Sequence, residues 1–568
     1  MKRHSFVLLS LLYLTLQTAL RAEVPAGLAN QSFPQEDLFQ VISYLPTVLH
    51  GEEGLPDNPT YSIMVDGHIV VSCDEGAAVL DLTDPYNVEV LSTYWYDIGR
   101  HQPEYDNWGL TTGYGGIHTV RYDTSFLEFV DYTDPTNPSV VGRVDSLLPC
   151  HLWRENGSHA GWGYPTAIAW QAPYLYSSMR NTGIDIIDVH DIENPVHVKR
   201  FANDGDKYRP GSIHAVGNLL IVAAYNWNGM GIWDISDPVN PVQLTWEGEG
   251  WKSPAHGWQV FVNGNKLYRS GEVVYVWDMS DPADLKHITT YEINAECTTE
   301  EGHCSSGGVE IQDNYLFLGG SHHGIYKWNL ETEELVGYSG PFHKPDKQEK
   351  HDYYDLDYPN VIGNYVMGCS EDHFQGAFII PHQAEADNTP PKVNMVIPKD
   401  NAANQAVTSR VGITLTDAVN PASVTASSFV VKESGGSAVP GKYSMYKSIV
   451  NFSPDEPLEV GTTYEVLVPA GGITDYMGNA ITEPFNSRFS TGSEVAVAPA
   501  PQAKEIMAHG STTALQVRAD NAFRNSSTAN RGYSLFTIRG TRVSAHQGTD
   551  HAASRGIPRG VYVISGNE

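Results

Sequence analysis

The chain has 568 residues, enough for several domains, and its formal net charge is −32. A surface this acidic argues against nucleic acid as a partner, because nucleic-acid-binding proteins present a basic face. After residue 22 no stretch approaches the ~20 apolar residues that a membrane-spanning helix needs, so we expect no transmembrane segment.

The first 22 residues have the pattern of a secretory signal peptide. Lys2 and Arg3 supply the positive start, an apolar stretch runs from Phe6 to Leu20, and Ala22 offers a small residue for cleavage. We therefore expect a mature protein that is secreted or attached to the cell surface.

A short phrase recurs along the next part of the chain, with an apolar residue before Asp and, in most copies, Ser or Thr before a second Asp and Pro. Copies stand at Leu80–Pro85, Val130–Pro135, Ile187–Asp191, Trp233–Pro238 and Trp277–Pro282, with a weaker one at Trp328–Glu331. The spacing of about 45 to 57 residues is typical of propeller blades. We expect the Asp side chains to cap the turn after each copy and to do no chemistry.

Each repeat predicts four strands, and the phrase ends the third. Seven third strands are expected, near residues 77–82, 126–132, 184–189, 230–235, 273–279, 324–330 and 376–380. A lone strand over 37–45 is expected to complete the seventh unit and close the ring, which removes exposed sheet edges. The chain is therefore predicted to be all-β, with a seven-bladed β-propeller over residues 30–386.

These repeats resemble the exported bacterial propeller family named for its Leu-Val-Ile-Val-Asp phrase, the LVIVD repeat, over roughly residues 35–385. The resemblance implies the fold. It implies no single activity, because propellers host many.

A second domain is predicted over residues 389–492, after the boundary sequence Asp387–Pro391. Its strands and the Asp-x-x-Gly-Asn turn at Asp475–Asn479 resemble bacterial Ig-like domains. The resemblance implies a β-sandwich, which we interpret as a spacer.

The remaining residues predict a linker over 493–506 and a small C-terminal β-domain over 507–568. Tyr533–Gly540 and Arg559–Ile564 resemble the C-terminal sorting domain of type IX secretion. That resemblance implies the type IX secretion machinery as a partner. The alternative is a small accessory β-module.

His, Tyr, Trp and Arg collect in the loops that enter first strands and leave second strands, which meet on one face of a propeller. Tyr164 is expected to start the first strand of the third unit, and Arg180 to follow its second strand. Adjacent antiparallel strands would bring these two side by side, with His101 and His118 from the neighbouring unit. The alternative is that such residues only fill the ring and stack between blades.

A phenol, a guanidinium and imidazoles suit β-elimination on a uronic acid. Arg180 would pair with the substrate carboxylate and stabilise the C5 carbanion. Tyr164 or a His would remove the C5 proton, and another of them would protonate the leaving oxygen.

This arrangement is similar to that of the seven-bladed propeller lyases that cut ulvan, a sulfated algal polysaccharide. The similarity implies a secreted polysaccharide lyase acting on an anionic polysaccharide, with His101, His118, Tyr164 and Arg180 as catalytic residues. A buried His bonded to backbone is the other interpretation of His118. Further rim residues are expected to bind neighbouring sugars or sulfates, namely His214, Tyr225, His256 and Arg269.

A metal site is one interpretation of four residues in the sixth and seventh units, which are His303, Cys304, His322 and Cys369. The competing interpretation pairs Cys297 with Cys304 in a disulfide. The expected metal is zinc in a structural role, or calcium, and we expect no organic cofactor.

Two other classes of function remain open. A non-catalytic protein could bind glycans at the cell surface through the same aromatic rim. The weaker third class is a metal-dependent oxidoreductase that uses the His and Cys residues to bind copper or iron.

Overall fold

The computed structural model describes residues 24–73, 76–95, 119–123, 126–144, 151–153, 159–162, 167–179, 182–202, 208, 210–224, 229–247, 259–271, 273–292, 307–320, 324–340, 356–370, 376–492, 533–537, 542–546 and 562–566. Over these residues the chain is all-β, with short 3-10 turns at Gln35–Asp37 and Pro421–Ser423 and no α-helix. The described part of the chain contains no helix that could span a membrane. Two compact units are separated at Ala498 and Pro499.

The first unit begins with the repeat region, residues 24–386, whose strands form small antiparallel sheets in chain order. The lone strand β1 (Ser43–Pro46) comes before the first sheet, which contains β2 (Pro59–Val65), β3 (His68–Cys73), β4 (Gly76–Asp81) and β5 (Glu89–Trp95). The second sheet contains β6 (Thr119–Asp123), β7 (Phe126–Asp131) and β8 (Ser139–Val144), and a separate hairpin follows, of β9 (His151–Trp153) and β10 (His159–Trp162). The third contains β11 (Ala167–Gln171), β12 (Tyr174–Ser178), β13 (Ile184–Asp188) and β14 (Val196–Phe201).

The next four sheets repeat the same meander. The fourth contains β15 (Pro210–Val216), β16 (Leu219–Ala224), β17 (Met230–Asp234) and β18 (Val242–Glu247). The fifth contains β19 (Val260–Asn263), β20 (Lys266–Ser270), β21 (Val273–Asp278) and β22 (Lys286–Glu292). The sixth contains β23 (Val309–Gln312), β24 (Tyr315–Gly319), β25 (Ile325–Asn329) and β26 (Leu335–Ser339), and the seventh β27 (Leu356–Ile362), β28 (Tyr365–Ser370) and β29 (Gly376–Pro381).

The strand β1 completes the seventh sheet, as the sequence predicted. It pairs antiparallel with β29, where Tyr44 lies opposite Phe378. It is shorter than expected, because Gln35–Asp37 form a 3-10 turn instead of strand. The sheet therefore joins the beginning of the repeat region to its end.

The described residues of first and second strands are mostly buried, whereas fourth strands are more exposed. Every residue of β15 and β16 is buried, while β14 has no buried residue and β18 has one, Thr245. Runs of apolar residues such as Leu219–Ala224 are what a strand covered on both faces requires.

Consecutive sheets contact one another, and the seventh contacts the first. The contacts between successive sheets are Ser92 with Pro135, Phe129 with Trp170, Tyr176 with Pro238, Arg269 with Ala224, Val309 with Gln259, and Val361 with Glu310. Between the last sheet and the first, Asn360 Nδ2 donates to Ser62 Oγ at 3.0 Å.

The Asp residues of the repeat phrase cap turns, which confirms their predicted role. In five copies the first Asp accepts a backbone N–H two residues later at 2.7–2.9 Å, as between Asp234 and Ser236. The second Asp does the same, as between Asp237 and Val239 at 3.2 Å. Asn329 replaces Asp in the weak sixth copy and accepts from Glu331 at 2.8 Å.

The second domain of the first unit is a β-sandwich, called the sandwich below. One sheet contains β30 (Val393–Ile397), β32 (Val411–Leu415), β35 (Ile449–Pro454) and β34 (Gly441–Tyr446), and the other contains β31 (Ala402–Gln405), β37 (Phe485–Thr491), β36 (Thr463–Val468) and β33 (Val430–Glu433). Phe429, Phe452 and Phe489 pack between the two sheets.

The sandwich packs directly on the turns that join first to second strands in the repeat region. The side chain of Asn218 donates to Ser409 and accepts from the Arg410 N–H, and the Gly264 N–H donates to Thr414. Apolar residues of both domains, among them Val216 and Ile397, share one core cluster. The sandwich is therefore an integral part of the unit and differs from the spacer that we expected.

The second unit contains one described sheet, in the order β39 (Arg542–His546), β38 (Tyr533–Thr537) and β40 (Tyr562–Gly566). Both neighbours pair antiparallel with β38.

Candidate functional site

The sandwich covers one end of the repeat sheets, so the opposite strand ends form the face that it leaves uncovered. This open face is defined by the starts of first strands and the ends of second strands, such as Ala167, Ser178, Pro210, Ala224 and Ser270. In a propeller, ligand-binding loops of this kind lie on a rigid scaffold.

All four predicted catalytic residues, His101, His118, Tyr164 and Arg180, lie outside the described residues. The strands that flank two of them are described. Ala167, which begins β11 just after Tyr164, pairs in register with Ser178, which ends β12 just before Arg180. The described strands therefore end at paired positions, which stand three residues after Tyr164 and two residues before Arg180 in the sequence.

This corner of the open face is held by hydrogen bonds. The Ala167 N–H donates to Ser178 Oγ at 3.1 Å, and Ser178 Oγ donates to the Gly211 carbonyl of the fourth sheet. Met179, which precedes Arg180, donates its N–H to the carbonyl of Gly183, which follows it, at 2.7 Å. The described residues on both sides of Arg180 are thus held by hydrogen bonds.

His214 lies near the sandwich rather than on the open face. It is buried in β15, its Nε2 lies 2.6 Å from the Val260 carbonyl, and its ring centroid is 4.8 Å from that of Tyr446. Burial lowers the pKa of His214 to about 4, so the ring is neutral near pH 7. In this position it stabilises packing between the fourth and fifth sheets.

Arg269 is fully buried in β20. One guanidinium nitrogen donates to the Ala224 carbonyl of the fourth sheet at 2.6 Å, and burial lowers the pKa of Arg269 to about 9. This bond ties the fifth sheet to the fourth, and binding of a sugar or sulfate by Arg269 stays a prediction. Tyr225 and His256, the other two predicted substrate-binding residues, lie outside the described residues.

Of the predicted metal ligands, only Cys369 lies within the described part of the chain, and His303, Cys304 and His322 lie outside it. Cys369 is a fully buried free thiol in β28. Burial raises the pKa of Cys369 to about 12, which favours the thiol. Metal binding needs the thiolate, so this environment is unfavourable for a zinc ligand.

A cluster that the sequence did not reveal lies where the sandwich meets the repeat region. One carboxylate oxygen from each of the buried residues Asp387, Asp417 and Asp475 lies within 4.8 Å of the others. Asp387 and Asp475 belong to the boundary sequence and to the Asp-x-x-Gly-Asn turn, which we had interpreted only as markers of a domain. Their spacing in the chain gave no sign that they meet.

Hydrogen bonds hold each carboxylate in place. Asp475 Oδ1 accepts the N–H groups of Met477 and Asn479, both at 2.8 Å. Asp417 accepts from Gln312 Nε2 at 3.1 Å, so the end of β23 reaches the cluster.

Burial, and then repulsion between carboxylates, raises the pKa of both Asp417 and Asp475 well above the usual range. The neighbouring Asp313, in the turn after β23, has its pKa raised to about 7 by burial and by Asp387. Such a group of carboxylates either shares protons or binds a cation. With oxygen donors alone, it suits calcium or magnesium better than zinc.

Comparison with known protein families identifies the second domain. A family model described as bacterial Ig-like domain matches residues 387–491, which include all three clustered aspartates. No curated protein matches the sequence.

Many solved structures match, and two of them illustrate the likeness. The computationally designed Ika8 protein is 12% identical with a TM-score of 0.33, covering 60% of this chain and 100% of its own. The β-propeller domain of Cps50 (Swd1) from Myceliophteria thermophila is 11% identical with a TM-score of 0.39, covering 56% of this chain and 96% of its own.

Proposed function

We propose that the chain is an exported polysaccharide lyase whose active site lies on the open face of a closed seven-bladed propeller. The observation that carries the proposal is the register of Ala167 with Ser178. These paired residues stand three positions after Tyr164 and two positions before Arg180, at strand ends on the face that the sandwich leaves uncovered.

The proposed reaction is β-elimination on an anionic, uronic-acid-containing polysaccharide of the ulvan kind. Arg180 binds the C5 carboxylate and stabilises the charge that develops when the C5–H bond breaks. Tyr164 or one of His101 and His118 takes that proton. The C4–O bond then breaks, a C4–C5 double bond forms, and a second of these groups protonates the leaving oxygen.

Several features support the architecture and the site of action. Contact of each sheet with the next, together with the pairing of β1 with β29, favours a closed ring of seven blades. The N-terminal segment supports export, and the proposed route is type IX secretion through the C-terminal unit. The proposed location is the cell surface or the surrounding medium.

Non-catalytic glycan binding is the second candidate function. The burial of His214 and Arg269 removes two of the expected sugar contacts and weighs against both candidates alike. Glycan binding needs only sugar contacts, whereas cleavage also needs a group that takes the C5 proton.

The test is an activity measurement on the purified full chain with ulvan and other polyuronates. We expect ultraviolet absorbance from the unsaturated product, and its loss in Arg180→Ala and Tyr164→Phe. Arg488→Ala, which removes an exposed arginine from the sandwich, is the matched control and should keep full activity.

Binding of the same polymers, measured with no change in their length, would replace the lyase with the glycan-binding function. Neither binding nor cleavage across the panel would overturn both candidates.

A further inference from the structure

One hairpin of the sandwich reaches into the repeat region. It joins β34 to β35, and its tip consists of Tyr446, Lys447 and Ser448, all but Tyr446 fully buried. The Tyr446 hydroxyl bonds to the hydroxyl of Tyr61 in β2, and the two rings are parallel with centroids 6.2 Å apart. The ring of Tyr446 also lies against that of His214 in β15, with centroids 4.8 Å apart.

The next residue, Lys447, is the charged residue of the tip. Its ammonium forms a buried ion pair with Glu310 of β23 and donates to Asn360 Oδ1 of β27 at 3.3 Å. Both acceptors are tied to further strands, since Glu310 accepts the Val361 N–H at 3.3 Å and Asn360 donates to Ser62.

These partners share a position in their sheets. The strands β2, β15, β23 and β27 are first strands, of the first, fourth, sixth and seventh sheets. First strands are buried and fourth strands exposed, so first strands line the middle of the ring. A single hairpin tip can touch four of them only where they converge.

We infer that the tip Tyr446–Ser448 is a plug that closes the central channel of the repeat region from the sandwich side and fastens its first strands together. Two consequences follow. Ligands can approach the ring only from the open face, and the sandwich and the repeat region should unfold as one cooperative unit. Neither consequence depends on the proposed lyase activity.

The ion pair gives a direct test. Removing one partner leaves the other charged and buried, which is far more costly than losing an exposed pair. In the full chain we compare Lys447→Met, Glu310→Gln and the double variant by calorimetry and by hydrogen exchange. Lys432→Met is the matched control, because Lys432 pairs with Glu465 at 3.0 Å on the partly exposed side of the sandwich.

We expect one transition for both domains in the unmodified chain. Each single variant at the plug should lower its midpoint by several degrees, and the double variant should recover part of the loss. Backbone hydrogen exchange should be faster in β2, β23 and β27 of the Lys447→Met protein than in the unmodified chain. It should be unchanged in the outer strands β14 and β18.

Two outcomes would overturn the plug. One is a pair of separate transitions in the unmodified chain. The other is a Lys447→Met protein whose midpoint and exchange match those of Lys432→Met. If these variants fail to fold, Tyr446→Phe is the milder test. It removes the hydroxyl that bonds to Tyr61 and Gln259 and should raise hydrogen exchange in β2.

Discussion

Asn451 of the sandwich and Gly217 of the repeat region are joined by a hydrogen bond in which the Gly217 N–H donates to Asn451 Oδ1 at 2.8 Å. The same amide accepts from Gln171 Nε2 at 3.1 Å and donates to the Ala215 carbonyl at 2.8 Å. Gly217 has φ +53, and a Cβ there would lie 2.6 Å from the Ile397 carbonyl oxygen. One side chain thus satisfies three buried groups where two domains meet too closely for any residue but glycine.

Replacing this amide should destabilise both domains together. We expect Asn451→Ala to lower the free energy of unfolding by about 2–4 kcal/mol, because it leaves several buried polar groups without partners. Chemical denaturation of the full chain measures the change. The control is Asn486→Ala, at an exposed position of the same sandwich, which should change the free energy of unfolding by less than about 0.5 kcal/mol. An equal loss of stability in both variants would contradict the interface role of Asn451.

The turn caps should contribute stability without contributing to activity. Asp234→Ala removes the acceptor of the Ser236 N–H and should cost about 1 kcal/mol, whereas Asp234→Asn keeps an oxygen there and should cost less. Thermal unfolding of the two variants checks that Asp234→Ala is less stable than Asp234→Asn. A loss of polysaccharide cleavage with unchanged stability would instead point to chemistry at the repeat phrase.

The acidic cluster should make stability depend on pH. The pKa of Asp313 is about 7 in the folded chain, and burial and mutual repulsion raise the pKa of Asp417 and Asp475. Their folded pKa values lie above those of the unfolded chain, so the folded state holds more protons. The stabilisation is present below about pH 4 and is lost as pH rises through about 7.

Unfolding midpoints across this pH range, with and without calcium, measure the effect. We expect Asp475→Asn to make the unfolding midpoint depend less on pH, because it removes one of the repelling carboxylates. Calcium that raises the midpoint at pH 7 in the unmodified chain but not in Asp475→Asn would show that a cation replaces the protons. A midpoint that rises steadily with pH would contradict the raised pKa values.

Arg269 should act through packing. We expect Arg269→Ala to lower the unfolding midpoint, because it removes the bond to Ala224 and leaves a cavity between the fourth and fifth sheets. Glycan affinity of the folded variant should stay unchanged. A variant with normal stability and weaker glycan binding would show that Arg269 contacts the substrate.

Cys369 should be inert in the folded protein. Its pKa of about 12 leaves almost no thiolate at pH 8, and it is fully buried. We expect alkylation of Cys369, followed by mass spectrometry, only after the chain is unfolded. Rapid labelling of the native protein would indicate the exposed or ionised thiol that a metal ligand or redox residue needs.

Local features of the fold could be read from the sequence because they depend on neighbours in the chain. The Asp caps bond two residues away, and the buried runs of β15 and β16 are visible as apolar stretches. The Ig-like domain was recognisable from motifs within a single segment, residues 387–491.

Features that depend on distant residues were decided by the tertiary structure. His214 and Arg269 look like rim residues in the sequence, yet the packing of one sheet on the next buries both. The plug joins Lys447 to Glu310, 137 positions apart, and the acidic cluster gathers aspartates from three segments. Composition and spacing determined the strands and turns, because those follow from local backbone and side-chain chemistry. Which polar groups became buried together was decided only by how the sheets and the two domains pack.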